Sequence, residues 1–178
     1  VKNQIEYVSK LPQEEILKIS EKTGCAKNTL ETALIDKGKR IYVPSINNQL
    51  EGKVSKSGVL FKRGVLKKSG YKIEFIGPKF KSFFDAKLPK ELLNKSDDVV
   101  MPRCTKILNE NIEKNPKIIK KLNLSDSQLA QIQNGSKNIE GFTWHHDPFK
   151  EGLMQLVDYN AHKVDHIGGK ALWGGGRA

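Results

Sequence analysis

All four histidines of this chain, His145, His146, His162 and His166, fall within one stretch of 22 residues. The order of residues around them prescribes a local fold. Leu153-Met154-Gln155-Leu156-Val157 has the length and apolar content of a short strand, and Gly152 supplies a turn after Asp147-Pro148-Phe149. Asp158 suits the N-cap of a helix over about Tyr159 to Ile167, which Gly168-Gly169 would end in the left-handed conformation. The expectation is strand, turn, strand, helix. On such a helix His162 and His166, four apart, project from one face and could share a metal ion. Imidazole is the commonest transition-metal ligand and the side chain that titrates nearest neutrality. A helical His pair also arises by chance, and it is the doublet beside it that argues for a site. A structural zinc site usually draws on cysteine, and Cys25 and Cys104 lie far apart with no C-x-x-C partner.

Thr143-Trp144-His145-His146, then Gly-x-Met-Gln-Leu-Val from Gly152, His-x-x-x-His-x-Gly-Gly from His162 and the closing Trp173-Gly174-Gly175-Gly176 form an ordered set. This set resembles the WHH branch of the HNH/endonuclease VII nuclease superfamily. The likeness runs upstream through Lys87-Leu88-Pro89 and Gly77-Pro78-Lys79-Phe80 to about Asn47. It implies an α+β fold with a ββα-metal (His-Me finger) motif around one divalent ion. On the matching positions, His145, His162 and His166 would be the metal ligands and His146 the general base that takes a proton from the attacking water. Gln155 stands where related nucleases place an Asn that orients the base. Three imidazoles suit zinc or nickel, whereas magnesium and manganese prefer oxygen, so the ion's identity stays open. Members of the branch are commonly the toxic C-terminal domains of bacterial polymorphic and contact-dependent growth inhibition toxins. The resemblance therefore implies delivery from a producing bacterium within a larger secreted or surface effector, and action in the target-cell cytoplasm. It also implies a cognate immunity protein, expected to be acidic so as to complement the basic surface.

Charge bears on the substrate. Residues 1–45 carry eight Lys and Arg against six Asp and Glu, whereas residues 46–178 carry 23 against 14, so nearly all of the +11 belongs to the second part. Such an excess attracts a polyanion by steering and makes binding salt-sensitive. DNA is the preferred substrate and RNA the second choice, because no aromatic-rich strand pattern suggests reading of single-stranded RNA. A metal-dependent RNase and a non-catalytic DNA-binding module with a structural metal are the alternatives. Lys163, Lys170 and Arg177 sit beside the histidines and are candidate phosphate contacts. Trp144 and Trp173 read as core residues, since aromatics beside a hairpin mainly supply buried area. No apolar stretch approaches the roughly 18 residues that cross a bilayer, and the N-terminus lacks the layout of a signal peptide.

Elsewhere, Leu11 to Gly24 and Lys27 to Lys37 read as two short helices broken at Thr23-Gly24-Cys25. Ile41-Tyr42-Val43, Val59-Leu60-Phe61 and Tyr71 to Phe75 favour strands. Asp97 to Glu113 reads as a helix, and so does Ser125 to Asn134, opened by a Ser-x-x-Gln capping box and stopped at Gly135. The domain reading is a helical N-terminal segment over 1–45, a candidate for cell entry, and a nuclease domain over 46–178. With 37% hydrophobic residues the chain can bury one real core and a small appendage, and the two cysteines are expected to be free thiols.

Overall fold

The structure, a computed structural model, describes residues 9–36 and 40–176. Its strands and helices in chain order are β1 Ser9–Lys10, α1 Gln13–Thr23, α2 Lys27–Glu31, β2 Leu34–Ile35, β3 Arg40–Tyr42, β4 Leu60–Lys68, β5 Tyr71–Lys79, β6 Phe84–Lys87, α3 Asp97–Lys114, α4 Lys117–Lys121, α5 Asp126–Gln133, β7 Phe142–His146, β8 Leu153–Asp158 and α6 Gly169–Leu172. The α+β class expected from sequence holds. The chain divides into two compact units of comparable length, each with its own sheet, rather than one core and a small appendage.

The first unit comprises 1–79, 148–151 and 164–178. Its sheet has the order β1-β2-β3-β5-β4. β4 and β5 form a long antiparallel hairpin whose turn residues Ser69 and Gly70 both have positive φ (52° and 82°), as a two-residue turn of primed type requires. β3 pairs with β5 in parallel, so residues 1–45 supply strands as well as the two expected helices. α1 ends at Gly24, whose φ of 76° and N–H bond to the Ser20 carbonyl make the left-handed cap. α2 stops at Glu31, well before the expected Lys37, which lies outside the described residues. Ile16, Ile19, Leu30, Ile41, Phe61, Ile73 and Phe75 form its core.

The second unit comprises 80–147 and 152–163. Three antiparallel strands in the order β6-β8-β7 pack against α3. Trp144, Met154, Leu156, Ala86, Val100, Cys104 and Leu108 are buried here. The Trp144 Nε1–H donates to Thr105 Oγ1 (3.0 Å), and that hydroxyl donates to the Ser136 carbonyl (2.7 Å), so the buried indole keeps its hydrogen bond. α5 opens with the expected capping box: Ser125 Oγ accepts from the Gln128 N–H and Gln128 Oε1 from the Ser125 N–H.

Candidate metal and nuclease site

The β7–β8 hairpin is closed by the Asp147 N–H donating to the Leu153 carbonyl (2.9 Å), with Gly152 at φ 79°. A non-glycine residue there would be strained, which explains why the second strand starts after this glycine. The register pairs His145 with Gln155 and His146 with Met154. Directly opposed residues share a sheet face and neighbours in a strand do not. His145 and Gln155 therefore lie on one face, with Asp85 of β6 across from Gln155, whereas His146 and Met154 lie on the other.

On the first face, His145 Nδ1 stands 3.2 Å from Nε2 of His162. Phe80 packs edge-on against the His145 ring at 4.8 Å between centroids and lies 5.3 Å from the His162 ring, so one aromatic side chain braces both imidazoles. In the sequence Phe80 is legible only as part of the Gly-Pro-Lys-Phe string. Two nitrogens bound to one tetrahedral ion at about 2.0–2.1 Å would lie about 3.4 Å apart. The observed spacing suits that arrangement. His145 and His162 belong to the second unit, where the pair can hold one metal ion, while His166 belongs to the first.

The helix expected over Tyr159 to Ile167 is not there. Asp158 does cap, its Oδ1 accepting the Ala161 N–H at 2.8 Å, but it opens only a single 3-10 turn, Ala161–Lys163. Beyond that turn the backbone acceptors are taken by side chains: His166 Nδ1 bonds the Val164 carbonyl and Asn47 Nδ2 donates to the Asp165 carbonyl. These carbonyls would lie in the last turn of the expected helix, where no intrahelical partner exists, and β-branched Val164 and Ile167 favour a helix weakly. Gly168 then opens α6 instead of closing the expected helix. The bond from His166 Nδ1–H fixes the tautomer in which Nε2 carries the available lone pair.

On the opposite face His146 is 4% exposed, and its Nε2 is 3.8 Å from Oδ1 of Asp97, the first residue of α3. Asp97 carries no signal in the sequence beyond that of an acidic residue in a helix's first turn. Lys163 is exposed, with its ammonium 4.8 Å from the Tyr159 ring centroid. Lys170 is 7% exposed and so is no free surface cation. Arg177 lies outside the described residues. Trp144 and Trp173 are buried, as core residues should be.

A family model for the DNase/tRNase domain of colicin-like bacteriocins matches residues 69–168, more than half of the chain. The chain belongs to the colicin-DNase family. This colicin-DNase domain is thus a nuclease toxin domain, a phosphodiester hydrolase whose substrate is nucleic acid. The matched span starts at the β4–β5 turn and takes in the whole β7–β8 hairpin, His162 and His166. Comparison with curated proteins and with solved structures gives no match. Among the described residues no helix is long and apolar enough to cross a membrane.

Proposed function

We propose that the domain is a metal-dependent DNase of the WHH branch that kills or inhibits competing bacteria. The observation that carries this reading is the pairing of His145 and His162, ring nitrogens 3.2 Å apart, inside the family-matched span that also contains His166. His145, His162 and His166 would hold one divalent ion, with zinc and nickel best matched to imidazole and magnesium or manganese as other activators. When bound, the ion would stabilise negative charge on the attacked phosphate and the departing sugar oxygen.

His146 acts as general base, accepting the proton of the attacking water at a ring nitrogen. Asp97, 3.8 Å from its Nε2, holds the ring in orientation and favours the imidazolium that results. Gln155 shares the face of His145 rather than that of the base, so it acts as a positioning residue for the phosphate from the metal side. Lys163 offers an exposed charge for a substrate phosphate, and Arg177 is a further candidate by its place in the sequence. The basic excess of residues 46–178 supports a nucleic-acid partner and a cognate immunity protein of acidic surface, acting in the target-cell cytoplasm after delivery within a larger effector. The family's description covers DNase and tRNase domains, which gives an RNA substrate the second place.

Incubation of the purified domain with plasmid and with total RNA, in each of the four ions and with chelator, tests the reading. Plasmid should be nicked only where metal is present. His146→Ala should lose roughly 10²–10⁴ in rate while keeping its metal content. Degraded RNA beside intact plasmid would reverse the substrate. Undiminished nicking in chelator would end the metal mechanism.

A further inference from the structure

β4 is the last strand of the first unit's sheet, so one of its sides has no neighbouring strand. The two-residue turn at Ser69-Gly70 aims the N–H and C=O groups of its even-numbered residues at β5 and those of Phe61, Arg63, Val65 and Lys67 outward. Phe61 is served from that side, its N–H donating to the Lys53 carbonyl (3.0 Å) and its carbonyl accepting from the Gly52 N–H (2.8 Å). Beyond it, among the described residues, no backbone bond reaches the outward groups of Arg63, Val65 or Lys67. All three residues are exposed, Val65 at 42%. The side chains of this row are unevenly provided for. Arg63 is held by Glu51 (2.7 Å), and Lys68 on the other face by Glu151 (2.8 Å). Lys67 stands directly opposite Lys72 of β5, and neither ammonium has a carboxylate partner among the described residues. Like charges directly opposed across two strands destabilise the pairing until an anion lies beside them. A groove of about 310 Å³, walled by Val65, Leu66, Lys67, Lys68 and Phe149 among others, borders the same stretch.

We propose that an acidic edge strand of a partner protein docks along β4 and extends this five-stranded sheet by one strand. On the toxin reading, on which the proposal rests, that partner is the immunity protein. In an added strand the backbone bonds supply affinity and the side chains at alternate positions supply selection. An antiparallel strand bonded to Arg63, Val65 and Lys67 sets one of its residues opposite each of them. A carboxylate opposite Lys67 offsets the Lys67–Lys72 repulsion, and an apolar residue opposite Val65 covers it. The same charges exclude a second copy of this chain, because antiparallel pairing centred on Val65 would set Lys67 opposite Arg63 of the other molecule. A nucleic acid meets the lysines but offers no alternating donors and acceptors to the strand edge.

The test uses the full ¹⁵N-labelled chain without added metal and two synthetic peptides, acetyl-Thr-Glu-Thr-Val-Thr-Glu-Thr-amide and its counterpart with lysine in place of glutamate. The glutamate peptide should shift the amide resonances of Arg63, Val65 and Lys67 and slow their hydrogen exchange about tenfold at saturation, with the lysine peptide leaving them unmoved. Val65→Pro removes an outward N–H and spares the β5 ladder, so it should abolish this binding. Lys67→Glu, at an exposed position that spares the fold, should weaken the glutamate peptide about tenfold and let the lysine peptide bind in its place. Equal binding of both peptides, or binding that leaves these three amides unmoved, overturns the proposal. Shifts of the same amides with a DNA duplex and not with the peptide overturn it too, and make the lysine row a substrate surface. A chain that takes up the peptide as expected but cuts neither DNA nor RNA sinks the nuclease reading instead, and leaves β4 as a docking edge.

Discussion

At the scale of single residues the site turns on which side of one strand each imidazole faces. A doublet in a strand must split its side chains, and the register confirms the split by setting His145 against Gln155 and His146 against Met154. That much is legible in the sequence, because alternation follows from the extended backbone alone. The partner of His146 is not, because Asp97 is 49 positions away and reaches the ring only through the packing of α3 on the sheet. The 3.8 Å separation predicts that Asp97→Asn, which removes the charge and keeps the shape, lowers the turnover rate by roughly 10–100-fold, the usual effect of losing a group that orients a working histidine. KM and metal content should not move. Plasmid-nicking kinetics and metal analysis of the variant measure this, and a variant as fast as its parent would remove Asp97 from the site.

At the scale of elements, sequence reading succeeds where local chemistry is decisive. The capping box of α5, the break after α1 at Gly24 and the strand after Gly152 each rest on a few adjacent residues, and all are present. The helix over Tyr159 to Ile167 stops at a single 3-10 turn, and beyond it the Asp165 carbonyl is held by Asn47, a contact that no window around residue 162 contains. The i, i+4 spacing of His162 and His166 therefore does not set the two rings on one helical face. The β4–β5 pair shows a similar dependence on distant packing. Gly64 lies opposite Phe75, and a Cβ there would come within 2.4 Å of Phe75 Cζ and 2.8 Å of Phe149 Cδ1. The two rings, 5.1 Å apart, cover the glycine. Gly64→Ala should therefore destabilise by about 1–3 kcal/mol, as overpacking does, and the shift of the urea midpoint measures it. An unchanged midpoint would mean that the rings move aside without cost.

At the scale of the whole molecule, each compact unit contains one buried free thiol, Cys25 in the first and Cys104 in the second, in keeping with the wide spacing of the two cysteines. Burial pushes both up from an ordinary 9.0 to about 12, with Arg103 pulling weakly the other way at Cys104. Because the folded state holds the proton more tightly, the associated stability is whole below pH 9 and declines as the pH rises from there toward 12. Near neutrality neither thiol should react with iodoacetamide except when its unit opens, so the two labelling rates report the two units separately. His145 and His162 both belong to the unit that contains Cys104. An ion held by them adds stability to that unit through mass action, and a chelator takes it away. Peptide-resolved mass spectrometry should then find Cys104 alkylated faster after chelation, by about tenfold for every 1.4 kcal/mol of lost binding, with Cys25 changing less. Equal acceleration at both thiols would show that the ion stabilises the chain as one cooperative body, and no change at Cys104 would mean that these histidines bind no ion in solution.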